Sequence, residues 1–141
     1  MHKAFAVAAL LVALPAVAQD VSPGLWEITM ETRVPGDSGF TPSPYKMTQC
    51  LTAQDAKDPG MLFTRMGNPG ASDCRFQDRN YHGGNNFTFA MTCKGSYQLR
   101  SSGQVNFTKD TMDGTVTATA SVGDRDMQTE NKLTARRVGG C

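Results

Sequence analysis

The chain has 141 residues, with 14 Lys and Arg against 13 Asp and Glu, four cysteines, eight methionines and one tryptophan. That length suits one domain with one core rather than two. The balanced charge, with Lys and Arg spread along the chain, excludes the basic stripe by which a nucleic-acid binder displaces counterions.

Met1-His2-Lys3 opens the chain, an apolar run from Ala4 to Leu14 follows, and Pro15 leads into Ala16-Val17-Ala18 before the polar Gln19-Asp20. This is the order of a secretory signal peptide: basic start, short apolar stretch, small residues at an A-x-A cleavage site. The apolar run is about half of the ~20 residues a bilayer crossing needs. Residues 1–18 are therefore expected to be removed. That leaves 19–141 as a single disulfide-stabilised β domain with no membrane span, located in the periplasm or secreted. Lys3 leaves with the leader, so the mature chain carries no net charge.

Leu25 to Val34 alternates with period two, placing Trp26, Ile28, Met30 and Val34 on one face and Glu27, Thr29, Glu31 and Arg33 on the other, which predicts a strand. Pro35 to Pro44 is a loop by its glycine, proline and serine content. Tyr45 to Leu51 reads as a second strand. Thr52 to Lys57 has Thr52 placed as an N-cap and Asp55 three residues on, as in a capping box, and Asp58-Pro59-Gly60 ends it. It is predicted as the one short helix. Met61 to Met66 fits either a strand or a helical turn, and Gly67 to Asp73 reads as loop.

Cys74 to Tyr81 and Asn86 to Cys93 flank Gly83-Gly84, a favoured two-residue hairpin turn. Four further strands follow: Gly95 to Arg100, Gln104 to Lys109, Thr115 to Ala120 and Met127 to Val138. Ser101-Ser102-Gly103, Asp113-Gly114 and Gly123-Asp124 read as the turns between them. The predicted class is mainly β: an antiparallel meander forming a strongly curved sheet or a small up-and-down barrel, with one short α-helix.

With a Gly83-Gly84 turn, Cys74 faces Cys93, Arg75 faces Thr92, Phe76 faces Met91, Asp78 faces Phe89, Arg79 faces Thr88 and Asn80 faces Phe87. Cys74, Phe76, Phe87, Phe89, Met91 and Cys93 then share a buried face, with Arg75, Gln77, Arg79, Thr88 and Thr92 opposite. Opposed cysteines at such a site lie near the separation a disulfide needs. This pairs Cys74 with Cys93 and, by elimination, Cys50 with Cys141. The cysteine spacing contains no C-x-x-C and His82 is the only histidine beyond the leader, so no metal site and no cofactor is expected.

His82 beside the turn reads as an exposed polar residue rather than a catalytic base. Glu27 and Glu31 fall on the outer face of one strand, and Asp124 and Asp126 in a turn, so no catalytic residue is assigned. Seven methionines remain beyond the leader, scattered over separate strands, which suits adaptable packing or the wall of an apolar pocket better than a Cu(I) site. The apolar face supplies the candidate ligand-binding residues Trp26, Phe76, Phe87, Phe89 and Met91. The expected function is a non-enzymatic periplasmic binding or interaction domain. Its partner is an unidentified envelope protein or an apolar small molecule, and no nucleic acid. The alternatives are an inhibitor of a lytic enzyme or protease presenting the Gly36 to Pro44 loop, and a carboxylate-dependent enzyme.

Pro23-Gly24-Leu25-Trp26-Glu27, Cys50-Leu51-Thr52, the later pair Cys74 and Cys93, and Gly139-Gly140-Cys141 together resemble a bacterial family of exported, periplasmic domains of unknown function. The resemblance spans nearly all of the mature chain. It implies an envelope location and carries no activity with it. Gly24-Leu25-Trp26 is also similar to the G-x-W of lipocalin-type barrels, an analogy of architecture that would place Arg136 or Arg137 against Trp26.

Overall fold

The computed structural model of the chain describes residues 21–36, 42–66 and 71–141. The expected leader, residues 37–41 of the first loop and residues 67–70 lie outside the described residues. Seven strands form one sheet: β1 (Gly24–Arg33), β2 (Tyr45–Leu51), β3 (Ala71–His82), β4 (Asn86–Gly95), β5 (Gln98–Phe107), β6 (Thr111–Val122) and β7 (Arg125–Gly139). Their order is β2-β1-β7-β6-β5-β4-β3, and every pair is antiparallel. The meander runs from β3 to β7, and β1 adds beyond β7 with β2 outside it. The sheet curls without closing, so β2 and β3 both remain edges.

Period-two alternation buries one face of this sheet, as its sequence dictates. Trp26, Ile28, Phe87, Phe89, Met91, Val105, Phe107, Met112 and Leu133 are all buried there. The connection from β2 to β3 lies across that face. Its described residues form 3-10 turns at Asp55–Lys57 and Pro59–Met61 and a single α-helical turn, α1 (Leu62–Arg65). Phe63 of α1 stacks on Phe89 at 5.1 Å and on Phe87 at 6.1 Å between ring centroids.

The helix therefore sits later than expected. The capping box does form, with the Thr52 hydroxyl accepting from the Asp55 N–H and Asp55 accepting from the Thr52 N–H, each at 3.1 Å. Pro59 then truncates the turn, because it lacks an N–H and disfavours helical backbone at Asp58. Met61 to Met66 takes the helical alternative.

Two expected turns are strand interior. Gln98–Arg100 and Gln104–Phe107, parts of two expected strands, belong to the single strand β5, while Gly95 closes β4, and Asp113-Gly114 lies within β6. The real turn follows β5, where the Thr108 hydroxyl accepts from the Thr111 N–H at 3.0 Å. Gly103 and Gly114 are there for close approach, not for chain reversal. A Cβ on Gly103 would lie 2.7 Å from the Thr115 carbonyl oxygen, and one on Gly114 would lie 2.9 Å from the Val105 Cα. Glycine inside a strand marks such a contact as readily as a turn.

In the β3–β4 hairpin, Arg75 pairs with Thr92 and Phe76 with Met91, as expected. Cys74 is bonded to Cys93 and Cys50 to Cys141, with Cα–Cα distances of 4.0 and 6.0 Å. Beyond Phe76 the register shifts, so Asp78 faces Ala90, Arg79 faces Phe89, Asn80 faces Thr88 and Tyr81 faces Phe87. The expected partners of Asp78, Arg79 and Asn80 are thereby corrected. The turn takes three residues, Gly83-Gly84-Asn85, with Gly83 at φ +70°. A bulge at Gln77 absorbs the extra residue. Its consequence is chemical: Arg79 and Tyr81 move onto the inner face.

Candidate functional site

The inner face has a closed end and an open one. At the closed end Trp26 is fully buried, and its Nε1–H donates to the Ser22 carbonyl at 3.1 Å. Arg137 donates to the Pro23 carbonyl at 2.7 Å, holding the chain just ahead of β1, while Arg136 pairs with Glu27 on the outer face.

Beneath the sheet, the connection is latched to β3 by groups that the hairpin bulge turned inward. The Tyr81 hydroxyl donates to Asp58 Oδ1 at 2.6 Å and accepts from the Gly60 N–H at 2.8 Å. Arg79 binds the same Asp58 oxygen and spreads over the Phe76 ring at 5.0 Å. Gly60 has no room for a side chain, since a Cβ would lie 2.5 Å from the Phe87 ring. Partial burial pushes the Asp58 carboxyl up, but the Arg79 and Tyr81 hydrogen bonds outweigh it and hold the group below its ordinary value. Burial, followed by the bond to Asp58, raises the Tyr81 phenol. A phenol donating to a carboxylate that Arg79 also binds fastens the connection to β3.

At the open end, a cavity of about 250 Å³ remains between the curled strands and α1. Its apolar wall includes Met30, Phe63, Met66, Phe89, Met91 and Leu99, with Val116 and Ala118 from β6. Thr32, Ser101, Thr129 and Asn131 supply polar side chains, with Tyr45 at the exposed mouth, and the Cys74–Cys93 bridge lies in the wall. Asn131 is fully engaged. Its oxygen accepts from Thr32 at 2.7 Å, and its nitrogen donates to the Val116 carbonyl at 3.1 Å and to the Thr129 hydroxyl at 3.2 Å. Ser101 is only 9% exposed, and its hydroxyl has no hydrogen-bond partner among the described residues. Tyr45, in the wall, is 65% exposed. Strand alternation puts the exposed Val122 and Met127 on the same face as Ala118 and Thr129, so the apolar surface continues outward past the cavity.

Of the five residues expected on a ligand surface, Phe89 and Met91 line this cavity. Trp26 and Phe87 are fully buried in the core, and Phe76 packs edge-on against Phe87 and Phe89 at 5.9 and 6.0 Å. Sequence reasoning missed Phe63 and Met66, whose segment it left open between strand and helix, and Ser101, which it assigned to a turn. A larger depression of about 480 Å³ lies on the outer face among Glu31, Arg33, Glu130 and Lys132, where an exposed Arg33–Glu130 pair marks ordinary polar surface.

The remaining titratable candidates are separate from one another. His82 lies at the hairpin tip with Nε2 2.9 Å from the Thr88 hydroxyl. Asp126 accepts from Ser121 at 2.6 Å. Among the described residues, no three His, Cys, Asp or Glu side chains converge as a metal site would require. No curated protein and no solved structure matches the chain. The model of one family, described as a protein of unknown function (DUF3617), matches residues 21–141, and the chain belongs to that family.

Proposed function

We propose that the protein is a non-enzymatic binding protein that takes a small apolar ligand into the open end of its curled sheet, acting in the periplasm once residues 1–18 are removed. The observation that carries this reading is the apolar cavity of about 250 Å³, which opens onto a rim of exposed apolar side chains. An apolar concavity with a few convergent polar groups is the usual form of a small-molecule site. Met30, Met66 and Met91 suit it, because unbranched thioether side chains adjust to differently shaped ligands. The arginine partners of Glu27, Asp55, Asp58 and Glu130 favour a structural role for those carboxylates over acid–base work.

The expected affinity is modest. Each buried methylene gains ~0.8 kcal/mol, so a six-carbon chain gains roughly 5 kcal/mol before the costs of association. With no cost subtracted that would correspond to a dissociation constant of about 0.2 mM, so millimolar or weaker binding is expected for the smallest ligands and tighter binding for larger ones. Naphthalene, an uncharged hydrocarbon with its own fluorescence, tests the site directly. Saturable binding to the wild type is expected, with binding lost in Ala118→Phe, whose ring fills the cavity. Equal naphthalene binding by a folded Ala118→Phe protein would refute this location. For the compartment, recovery from a periplasmic fraction with Gln19 as the first residue is expected, and recovery from the cytosol alone would count against it.

A further inference from the structure

We propose that the natural ligand is electrically neutral and carries a single hydrogen-bonding oxygen, as a medium-chain alcohol or ketone does, and that this oxygen meets the Ser101 hydroxyl on the cavity floor. The inference rests on the cavity reading above and deepens it. Ser101 lies on the interior strand β5, directly opposite Met91 of β4 and Ala118 of β6, so its side chain shares the inner face with both. It is more than nine-tenths buried, and its oxygen has no partner among the described residues. A serine hydroxyl offers one donor and two acceptor positions, and a buried polar group is rarely left with none of them used. As placed the oxygen is sealed from solvent, but rotation about the Ser101 Cα–Cβ bond turns it into the cavity that this residue lines, where a ligand oxygen completes the bond that the protein leaves open, and either a hydroxyl or a carbonyl oxygen can accept from it.

The surroundings decide the charge of the ligand. None of the described lining residues is Asp, Glu, Lys, Arg or His. The nearby amide of Asn131 has both its oxygen and its nitrogen engaged within the protein. A carboxylate brought to Ser101 would exchange its full hydration for one neutral donor, and an ammonium would exchange its own for one neutral acceptor. A neutral oxygen loses far less on leaving water. The methyl side chain of Ala118, opposite Ser101, leaves the room in which the rest of the chain would lie.

The experiment compares 1-octanol, 2-octanone, octanoate and octylammonium at pH 7 by displacement of naphthalene from the wild-type protein and from Ser101→Ala. The wild type is expected to bind the alcohol and the ketone about tenfold or more tighter than either ion. Ser101→Ala is expected to weaken alcohol and ketone binding about fivefold, the usual worth of one neutral hydrogen bond, while naphthalene binding is unchanged. Because the substitution removes an unpartnered buried hydroxyl, the variant should melt no lower than the wild type, which keeps the comparison valid. Naphthalene binding accompanied by equal or tighter octanoate binding, or by no change in Ser101→Ala, overturns this inference and leaves the cavity standing. Failure of both naphthalene and 1-octanol to bind the folded wild type overturns the cavity reading itself.

Discussion

Tyr81→Phe isolates the latch between the β2–β3 connection and the sheet. The substitution removes one oxygen and keeps the ring, so the contact with Phe87 at 4.7 Å between centroids persists. Two hydrogen bonds disappear, one to Asp58 and one from the Gly60 N–H. Gly60 is buried, and an orphaned buried N–H costs ~1–3 kcal/mol. Asp58 keeps Arg79 and solvent contact, so its loss adds roughly 0.5 kcal/mol, for a total of about 2 to 3 kcal/mol. Arg79→Ala makes the comparison. The two side chains of that ion pair are 36% and 41% exposed, so solvent screens it to about 0.5–1 kcal/mol. The contact with the Phe76 ring adds roughly 0.5 kcal/mol. Urea unfolding with both disulfides intact, followed through the single buried Trp26, measures both variants. Tyr81→Phe should be the more damaging by about a factor of two. A loss below ~1 kcal/mol for Tyr81→Phe, or a larger loss for Arg79→Ala, would refute the assignment of the latch to the phenol–Gly60 bond. The phenol's folded-state value is raised above its unfolded one. Its contribution is therefore complete below pH ~10 and lost as the pH rises past that point. The gap between wild type and Tyr81→Phe should narrow in strong alkali.

Acid should act through Asp55, whose carboxyl is held down to about 2, first by the hydrogen bond from Arg65 and then by Thr52. Since the folded value lies below the unfolded ~3.9, the stability it contributes is present above pH ~4 and lost as the pH falls towards 2. Urea midpoints measured against pH should show a shallower acid limb for Asp55→Asn. The Cys50–Cys141 bridge spans 91 residues and Cys74–Cys93 spans 19. Chain-entropy reasoning then ranks removal of the first pair as costlier, about 4 to 5 kcal/mol against roughly 3, with paired Cys→Ser variants compared by denaturant melts. Gly114→Ala places a Cβ against the β5 backbone and should cost about 2 kcal/mol or more. Gly139→Ala meets nothing within 4 Å and should stay within ~0.5 kcal/mol of wild type by the same assay.

What the sequence made legible was what depends on neighbours along the chain. The alternation in β1, the capping box at Thr52 and Asp55, and the Cys74–Cys93 opposition are all local, and all appear in the structure. What it concealed depends on contacts across strands. Ser101-Ser102-Gly103 and Asp113-Gly114 have the composition of turns, and only the closeness of β5 and β6 explains their place inside strands. The bulge at Gln77 was equally hidden. A three-residue turn and a two-residue turn share the same Gly-Gly signature, yet they send Arg79 and Tyr81 to opposite faces. The cavity was half visible: Phe89 and Met91 announced themselves by alternation, while Phe63 and Met66 come from a segment without a decisive period.

The two disulfides and the latch answer a single weakness of this fold. A curled sheet that does not close leaves two edge strands, and edges fray and recruit foreign strands. Here each edge is fastened separately. Cys50 ties β2 to Cys141 beyond β7, and Cys74 ties β3 to β4. The connection between the edges is covalently continuous with β2 and is latched to β3 through Asp58, Gly60 and Tyr81. This fastening acts near the hairpin tip of β3, where Tyr81 faces Phe87, and away from the end where Cys74 and Tyr45 meet the cavity. The gap between the edges is thus filled by Leu62 and Phe63 at depth and left open at the rim. The gap between the unjoined edges opens onto the cavity lined by Tyr45, Met66 and Cys74, and the proposed ligand would enter there.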